Sequence, residues 1–299
     1  MDSTPTFQKV YISDVNNISG QTKKRKIWVP NEPMKEIHYE ILNWFKKQEI
    51  ILPSAAGGLP GNSPKRNLMR HKRQTKSSHK PFYPRYWFMT DISNAYGNVK
   101  LDLLIEATRE YFIEIIEEEM IEQFFLRYCM SEDGGLVVGA PLSPLLFNIY
   151  CEKKIDESLR KYCDMHSITY SRYLDDLTFS SEFPIGRKKR KKLLNIVREG
   201  EFQINIKKTH LGDLHKKAIE INGIGLRKTS SSYVIFTPRH YLSHIRGLLN
   251  LVLKEKTNIS PQIIHGKMGL FLSVSKGRKL NRTEQKVLEL YQEFKTKIK

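Results

Sequence analysis

The chain has 299 residues, and its 50 lysine and arginine residues against 32 aspartate and glutamate residues give a net charge of +18. Its hydrophobic fraction of 39% is enough for a folded core, which excludes a disordered basic tail. The sequence has no apolar run of about 18 residues, no apolar signal segment at its start and no CxxC pattern among its three cysteines. We therefore expect a cytoplasmic protein that binds polyanions, not a membrane, secreted or zinc-finger protein.

The charge is distributed unevenly along the chain. Residues 1–90 carry a net charge of +10, whereas residues 101–135 carry a net charge of −8. Basic blocks on both sides of an acidic segment are what contact with a long phosphate backbone requires. The alternative is a basic surface that serves only solubility.

The first predicted elements are a basic strand at residues 22–30 and a helix opened by Asn31 and Pro33. Residues 53–80 are rich in glycine, proline, serine and cations and are predicted to form loop and a short helix. The aromatic, β-prone segment PFYPRYWFMTDI follows and leads to Asp91.

Helices are predicted from Lys100 to about Met130 and from about Pro144 to Lys161, because apolar residues recur there at helical spacing. The runs SITYSRYL and LTFSSEF flank Asp175-Asp176, which predicts a hairpin with two carboxylates at its tip.

After the hairpin, the cationic run Arg187–Lys192 leads a helix that ends near Gly200, and a run of this kind is more often a solvated loop than a site. The segments FQINIKK and AIEINGIGL are predicted strands, and three helices are predicted from Thr237 onward. The order of elements therefore indicates a mixed α and β region followed by a helical tail. Cys129, Cys151 and Cys163 are predicted to be structural.

Three carboxylates suggest a metal site. Asp91 and the pair Asp175-Asp176 can meet only if their strands are neighbours in one sheet, and their like charges would then require a cation. Hard oxygen ligands of this kind bind Mg²⁺, and two such ions can stabilise an in-line phosphoryl displacement. Carboxylates in turns are common, so the pair taken alone is weak evidence.

Five strings give the carboxylates a context: FMTDISNAY, GAPLSPLLFN, YLDDL, GEFQINIKKT and INGIGL. Their order and spacing resemble the palm of a reverse transcriptase, and the resemblance runs from about residue 20 to the C-terminus. It implies an α+β, right-hand polymerase fold with fingers (1–86), a ferredoxin-like palm (87–233) and a helical thumb (234–299). The implied activity is RNA-directed DNA synthesis from deoxynucleoside triphosphates.

The resemblance assigns the metal ligands. Asp91 and Asp175 are similar to the carboxylates that bind two Mg²⁺ ions, with Mn²⁺ as a possible substitute, and the Ile92 carbonyl is implied as a further ligand. Asp176 resembles the adjacent aspartate that supports the site and binds less directly.

Other residues are assigned to the substrates. Tyr96 resembles the aromatic gate that excludes a ribose 2′-hydroxyl; the alternative is a core tyrosine. The turn and helix start that pack on the nucleotide and the templating base correspond to Gly139, Ala140, Pro141 and Ser143. Val138 departs from the family, since a glutamine usually precedes that glycine, and this puts nucleotide affinity and base preference in doubt.

Two cations resemble groups that handle the triphosphate. Lys208 is similar to the lysine proposed to protonate the leaving pyrophosphate, with Lys207 as a neighbouring candidate and a solvated lysine as the alternative. Arg25 resembles the fingers arginine that binds the triphosphate, because a guanidinium forks onto phosphate oxygens. A general RNA contact is the alternative for Arg25.

Further strings resemble the retron branch of bacterial reverse transcriptases. Asn67 and His71 have the spacing of the retron NAxxH element, Asn222-Gly223 stands at the retron VTG position, and the helical tail resembles an RNA-binding thumb. These sites imply RNA contacts through Asn67, His71, Asn222, Gly223, Arg239 and Lys267. The thumb cations could instead form a basic bundle packed on the palm.

The branch also implies partners: a small non-coding RNA template with its nascent DNA, an effector or toxin protein, possibly an oligomer, and a role in antiphage defence. Three alternatives stay open. They are a related defence enzyme that makes repeat or weakly templated DNA, a non-catalytic RNA-binding module, and a structural subunit of a larger effector.

Overall fold

The computed structural model describes residues 4–15, 22–48, 50–75, 78–255 and 259–297. The chain divides into two compact units. The first contains the described residues up to His71 together with Pro84–Leu211, and the second contains Lys72–Tyr83 and the chain from Gly212 onward. The borders that the resemblance implies for fingers, palm and thumb stay predictions.

Strands and helices are interspersed along the described chain and are numbered in chain order. The strands are β1 Phe7–Val15, β2 Thr22–Pro30, β3 Arg73–Thr75, β4 Ser78–Phe82, β5 Tyr86–Ser93, β6 Thr169–Tyr173, β7 Asp176–Ser181, β8 Gln203–Ile204, β9 His210–Asp213, β10 Ile219–Ile221, β11 Ile224–Lys228 and β12 Tyr233–Phe236. The helices are α1 Glu32–Lys47, α2 Pro64–Arg70, α3 Leu101–Phe112, α4 Ile121–Tyr128, α5 Ser143–Cys151, α6 Glu157–Met165, α7 Arg187–Glu199, α8 Arg239–Leu253, α9 Pro261–Ser275 and α10 Arg282–Lys297.

The central sheet of the first unit has the strand order β6-β7-β5-β8, with antiparallel neighbours. Helices α3 to α6 connect β5 to β6, and α7 connects β7 to β8. This is the strand order of a ferredoxin-like βαββαβ unit. The predicted palm architecture is therefore confirmed.

Aromatic and aliphatic side chains build the core of this unit. Strand β5 has the sequence YWFMTDIS, and all of its residues except the first and the last are buried. Phe88 of β5 stacks on Phe179 of β7, with ring centroids 5.6 Å apart. Cys129, Cys151 and Cys163 are buried and unbridged in the unit, as their predicted structural role requires.

The two long helices predicted before the hairpin are interrupted. Helix α3 ends at Phe112, a 3₁₀ turn covers Glu118–Met120, and α4 starts at Ile121. Acidic residues are favoured at a helix start, so the glutamates of this segment open a new helix instead of extending the old one. The second predicted helix contains a π-helical turn at Glu152–Asp156 and then continues to Met165.

Two further expectations change. Strands β3 and β4 pair with each other, although loop was predicted for residues 53–80. The sequence did not predict these strands because it is polar there and lacks the alternation that signals a strand. Arg187–Lys192 forms the first turns of α7, so this run is helical, not a loop.

The second unit contains the antiparallel sheet β10-β11-β12 and the predicted three helices of the tail. Helices α8, α9 and α10 share an apolar core that includes Leu249, Met268 and Phe294. Among the described residues, no helix combines the length and the apolar character needed to cross a membrane.

Candidate active site

Two neighbouring strands bring the predicted carboxylates together. In the register of β5 and β7, Asp91 lies opposite Asp176, and the two-residue turn Leu174-Asp175 connects β6 to β7. The backbone N–H of Ile92 donates to the carbonyl of Asp175 at 2.9 Å, which fixes the tip of the hairpin against β5. Asp91 is only 4% exposed. The sheet therefore brings the carboxylates of Asp91 and Asp175 to one place.

The electrostatics of this pair favour a cation. Burial is the main cause that raises the pKa of the Asp175 carboxyl, and the charge of Asp91 and a hydrogen bond with it raise that pKa further. Lys208 acts in the opposite direction and lowers the pKa of Asp175. The two carboxylates thus repel each other strongly enough that additional positive charge would stabilise their ionised forms.

Lys208 and Asn205 hold the Asp91 carboxylate in place. The Lys208 ammonium donates to Oδ1 of Asp91 at 3.1 Å, and the Asn205 amide donates to Oδ2 at 3.2 Å. A 3₁₀ turn at Ile206–Lys208 aims the lysine at the carboxylate, although its side chain remains 57% exposed. The structure therefore distinguishes Lys208 from Lys207 as the lysine at the site.

A cavity of about 590 Å³ opens over these groups. Its lining includes predicted site residues from distant parts of the sequence: Arg25, Asp91, Ile92, Tyr96, Asp175 and Lys208. A volume of this size is typical of sites for small molecules and cofactors. Asp176 is not part of the lining and is partly exposed. Burial raises the pKa of the neighbouring Tyr173, and the charge of Asp176 raises it further. This arrangement agrees with a supporting position for Asp176.

Tyr96 forms a rigid wall of the cavity. Its ring stacks on Phe147, with centroids 4.9 Å apart and planes 18° apart, and burial raises the pKa of its hydroxyl. Its carbonyl accepts a hydrogen bond from Leu136 N–H at 2.8 Å. Gly135 permits this approach, because a Cβ there would lie 2.5 Å from the Tyr96 carbonyl oxygen. Both the ring and the backbone of Tyr96 are therefore fixed.

The turn before α5 also depends on a glycine. Gly139 has a φ of +108°, and a Cβ at this position would lie 2.8 Å from the carbonyl oxygen of Trp28. The adjacent residue Val138 is 41% exposed and lines the cavity. Ala140 is buried and Pro141 is partly buried. Ser143 is only 1% exposed and packs at the start of α5, and substrate contact at this position stays a prediction.

A buried network lies beneath the catalytic hairpin. The Arg172 guanidinium is fully buried and donates to the Asp156 carboxylate at 2.7 Å. It also donates to the side-chain oxygen of Asn148 at 2.9 Å and to the carbonyl of Leu174 at 3.0 Å. The Asn148 amide in turn donates to the Gly57 carbonyl at 2.9 Å. The network therefore connects the residue before Asp175 to α5 and the π-helical turn.

The two residues of the NAxxH-like element are both fully buried. RNA contact through Asn67 and His71 stays a prediction, and the structure gives His71 a role in packing. Hydrogen bonds of 2.8 Å connect the two ring nitrogens of His71 to the hydroxyls of Ser171 and Ser180. His71 therefore attaches the end of α2 to the hairpin strands β6 and β7.

The other predicted RNA contacts belong to the second unit. Asn222 and Gly223 form the two-residue turn between β10 and β11, and both have positive φ, as a type I′ turn requires. Arg239 is exposed at the start of α8, and Lys267 is partly buried on α9. RNA contact through these four residues stays a prediction.

Comparison with known families identifies the fold that carries this site. Residues 16–236 match the family described as "Reverse transcriptase (RNA-dependent DNA polymerase)". The chain belongs to this reverse transcriptase family. The motif strings that carry the resemblance lie within the matched segment, as do the cavity residues from Arg25 to Lys208.

Curated relatives to which this reverse transcriptase is similar are retron enzymes. It is 30% identical over 162 residues to the retron Ec83 reverse transcriptase of Escherichia coli, covering 52% of the chain but only 48% of that relative. It is 25% identical to the retron Ec73 reverse transcriptase of Escherichia coli over the whole chain and 98% of the relative. The predicted membership of the reverse transcriptase family and the predicted resemblance to retron enzymes are confirmed.

Solved structures confirm the polymerase fold. The telomerase of Candida albicans in complex with a fragment of telomeric RNA superposes on 98% of the chain with a TM-score of 0.54 and 10% identity. The apo telomerase of Candida tropicalis superposes on 98% of the chain with a TM-score of 0.56 and 12% identity. The chain spans little more than half of the length of these telomerases, 56% and 57%.

The residues of the reverse transcriptase fit a hard divalent cation. Asp91 and Asp175 present neighbouring carboxylates, and burial, followed by the charge of Asp91, raises the pKa of Asp175. Among the described residues, no three or more His, Cys, Asp or Glu side chains form a complete metal site. Mg²⁺ is usually held by one or two carboxylates, with water and substrate phosphates completing its shell. We therefore expect the Ile92 carbonyl, water and substrate oxygens to complete the ligands.

Sequence patterns alone did not reveal Asn205, Arg172 or Asp156 as part of the site. Asn205 lies in the motif GEFQINIKKT, but only the fold brings its amide to Asp91. The available signal for Arg172 is an arginine in a strand otherwise suited to burial, two residues before the turn that presents Asp175. A buried arginine requires a buried anion as its partner. The Asp156 carboxylate, in the π-helical turn between α5 and α6, is that anion.

Proposed function

We propose that this reverse transcriptase copies a small non-coding RNA into DNA by two-metal nucleotidyl transfer. The observation that carries the proposal is the cavity that contains the Asp91 and Asp175 carboxylates together with Arg25, Tyr96 and Lys208. These groups come from separate elements, and each has the chemistry that one part of a nucleotide requires. Their convergence supports nucleotide binding more strongly than any one of the motifs.

In this mechanism Asp91, Asp175 and the Ile92 carbonyl would hold two Mg²⁺ ions, or Mn²⁺ in their place. Metal ions bound in this way offset the charge that develops on the attacking and leaving oxygens. Arg25 binds the triphosphate through its forked guanidinium. Lys208 moves from Asp91 to the leaving pyrophosphate and donates a proton from Nζ. General acids of this kind contribute about 10²–10⁴-fold to a rate.

The substrate of the proposed reaction is a deoxynucleoside triphosphate. In the proposal the Tyr96 ring is the gate that excludes a ribose 2′-hydroxyl, and its stacking on Phe147 supports this role because it fixes the ring. The family description supports an RNA template, and the net charge of +18 would attract its phosphate backbone. Arg239 and Lys267 contact the RNA–DNA hybrid, which they recognise by its shape and its 2′-hydroxyl groups. Antiphage defence, with an effector or toxin protein as partner, is the biological role that the resemblance to the retron branch implies.

A second candidate function is the synthesis of repeat or weakly templated DNA. Val138 favours it, because this exposed side chain lines the cavity and has no group that can hydrogen-bond a nucleotide. Loss of such a contact weakens the selection of the incoming base by the enzyme.

One experiment distinguishes these functions. The protein is purified from its bacterial host, its bound nucleic acid is sequenced, and the preparation receives labelled deoxynucleotides and Mg²⁺ beside an Asp175→Ala control. A single structured RNA joined to complementary DNA, extended only by the wild type, supports the proposal. Repeat DNA unrelated to the bound RNA establishes the second candidate. Bound RNA without incorporation shows a binding module and overturns both.

A further inference from the structure

A second cavity of the first unit lies outside the nucleotide site. It has a volume of about 530 Å³ and shares no lining residue with the catalytic cavity. Apolar side chains form most of its walls: Ile37, Ile41 and Trp44 from α1, Ile115 and Ile116 from the segment after α3, and Met120, Phe124 and Tyr128 from the following turn and α4. Glu40, Gln123 and Arg127 complete the lining. We call this feature the α1–α4 groove.

The walls of the groove have helical spacing. Ile37, Ile41 and Trp44 recur at i, i+4 and i+7 along α1, so they form one continuous ridge. Met120 and Phe124 form a second apolar wall at i and i+4 across the start of α4. An apolar groove between helical walls is the shape that receives the apolar face of an amphipathic helix.

The surroundings of the groove are acidic although the chain as a whole is strongly basic. Glu114, Glu117, Glu119 and Glu122 are all exposed and flank lining residues in the sequence. Within the part of the chain that the structure describes, none of these four glutamates forms an ion pair, whereas the neighbouring Glu118 is paired with Arg109. The acidic segment that the sequence singled out therefore contains the lining residues from Ile115 to Phe124, and its unpaired negative charges would repel RNA.

The apolar walls and the acidic rim together define the occupant. We propose that the α1–α4 groove binds an amphipathic, lysine- or arginine-rich helix of a partner protein. Apolar residues of that helix fill the groove, and its cations pair with the glutamates at the rim. Met120 supports this inference, since it is 47% exposed and flexible methionine side chains adapt well to a docked helix. The proposal goes beyond DNA synthesis, because it assigns a protein-binding surface that the reaction does not use.

The test uses the full chain and a synthetic helical peptide with leucine at i, i+3, i+4 and i+7 and lysine at the other positions. Trp44 emission reports binding, and Trp44→Phe identifies the signal that comes from the groove. We expect saturable binding that weakens with salt, because exposed ion pairs are screened. The double variant Glu117→Lys, Glu119→Lys should weaken binding by about tenfold or more, the change that about 1.4 kcal/mol produces.

The matched control is Asp164→Lys combined with Glu293→Lys, which changes the net charge equally at exposed positions outside the groove lining. This variant should bind the peptide like the wild type, and both double variants should retain polymerase activity. Two matched peptides, one with glutamate in place of lysine and one with serine in place of leucine, should not bind. Each is a control for one half of the proposed recognition.

Several results would overturn the proposal. One is absence of binding by the lysine peptide, and another is equal binding by the glutamate peptide, which would indicate an apolar site without charge selection. An equal loss in both double variants would show a general charge effect. Self-association of the protein that the groove variant abolishes would identify a second copy of the chain, not a partner helix, as the occupant.

Discussion

Arg172 donates a hydrogen bond from Nη1 to the backbone carbonyl of Leu174 at 3.0 Å, directly before Asp175 in the chain. Leu174 has a φ of +54°, a left-handed conformation that costs a residue other than glycine about 1–3 kcal/mol. The Arg172–Asp156 ion pair therefore holds in place a turn that leucine by itself does not favour. The position of the Asp175 carboxylate therefore depends on a fully buried charge pair.

Arg172→Lys should lower the rate of DNA synthesis and raise the Mg²⁺ concentration needed for half-maximal rate. Lysine keeps the charge but cannot bond Asp156, Asn148 and Leu174 at the same time, so the Asp175 turn loses its support. Steady-state rates over a Mg²⁺ series measure both effects. Arg160→Lys is the matched control, since Arg160 forms a partly exposed pair with Glu152. A smaller active fraction with unchanged Mg²⁺ dependence would show that Arg172 has only a structural role.

Asp175→Ala should reduce DNA synthesis by about a thousandfold or more while RNA binding survives. Removing a carboxylate that holds the metal ions costs several kcal/mol of transition-state stabilisation, and each 1.4 kcal/mol is about a factor of ten in rate. Primer extension and a filter-binding assay on the same preparation measure the two properties. Loss of both together, with a lower melting temperature, would show that Asp175 is needed for folding.

Lys208→Ala should reduce the rate of incorporation by about a hundredfold, the lower end of the usual contribution of a general acid. The Lys208 ammonium lies 3.1 Å from Asp91, whereas Lys207 is an exposed neighbour on the same turn. Lys207→Ala is therefore the control and should retain most activity. Single-turnover kinetics measure the chemical step, and equal losses in the two variants would contradict the assignment.

Tyr96→Ala should allow ribonucleotides to be incorporated, because the ring that closes the sugar position is removed. Tyr96→Phe should keep the discrimination, since the same ring stacks on Phe147 and the hydroxyl plays no part in excluding a 2′-hydroxyl. The ratio of kcat/KM values for matched deoxyribonucleotide and ribonucleotide measures the gate. An unchanged ratio in the alanine variant would assign Tyr96 to the core alone.

Val138→Gln should lower the KM for deoxynucleotides and raise templated fidelity. The glutamine places an amide in the cavity where an exposed valine offers no hydrogen bond, and one such bond contributes about 0.5–1.5 kcal/mol. Steady-state incorporation opposite each template base measures both quantities, with Val138→Leu as a control of similar polarity. If the glutamine variant matches the leucine variant, residue 138 does not contact the nucleotide.

The sequence allowed several features of the site to be predicted. The strand ending in FMTDI and the hairpin around Asp175-Asp176 are both present, since alternating β-prone residues and a short polar turn are local signals. Ser143 and His71 were predicted to contact substrate or RNA, yet both are buried. A motif match fixes where a residue lies in the chain, but burial depends on which elements pack against it.

Helix lengths show the same limit. The apolar spacing from Lys100 to Met130 is continuous enough to predict one helix, but α3 and α4 are separate. The break lies where three consecutive glutamates favour a new helix start and where the α1–α4 groove opens. The periodicity of apolar residues predicts which side chains face the core. It does not show where the chain changes direction and one helix ends.

By itself the sequence determined which residues are candidates for the site, because the order and spacing of the motifs that contain Asp91, Tyr96, Asp175 and Lys208 are written in the chain. Only the tertiary structure decided how those groups are held. The Asp91–Lys208 contact joins residues far apart in sequence, and the Arg172–Asp156 pair forms because the hairpin packs on the π-helical turn. Chemistry depends on residue type and spacing, whereas burial and charge pairing depend on contacts between elements that no local pattern specifies.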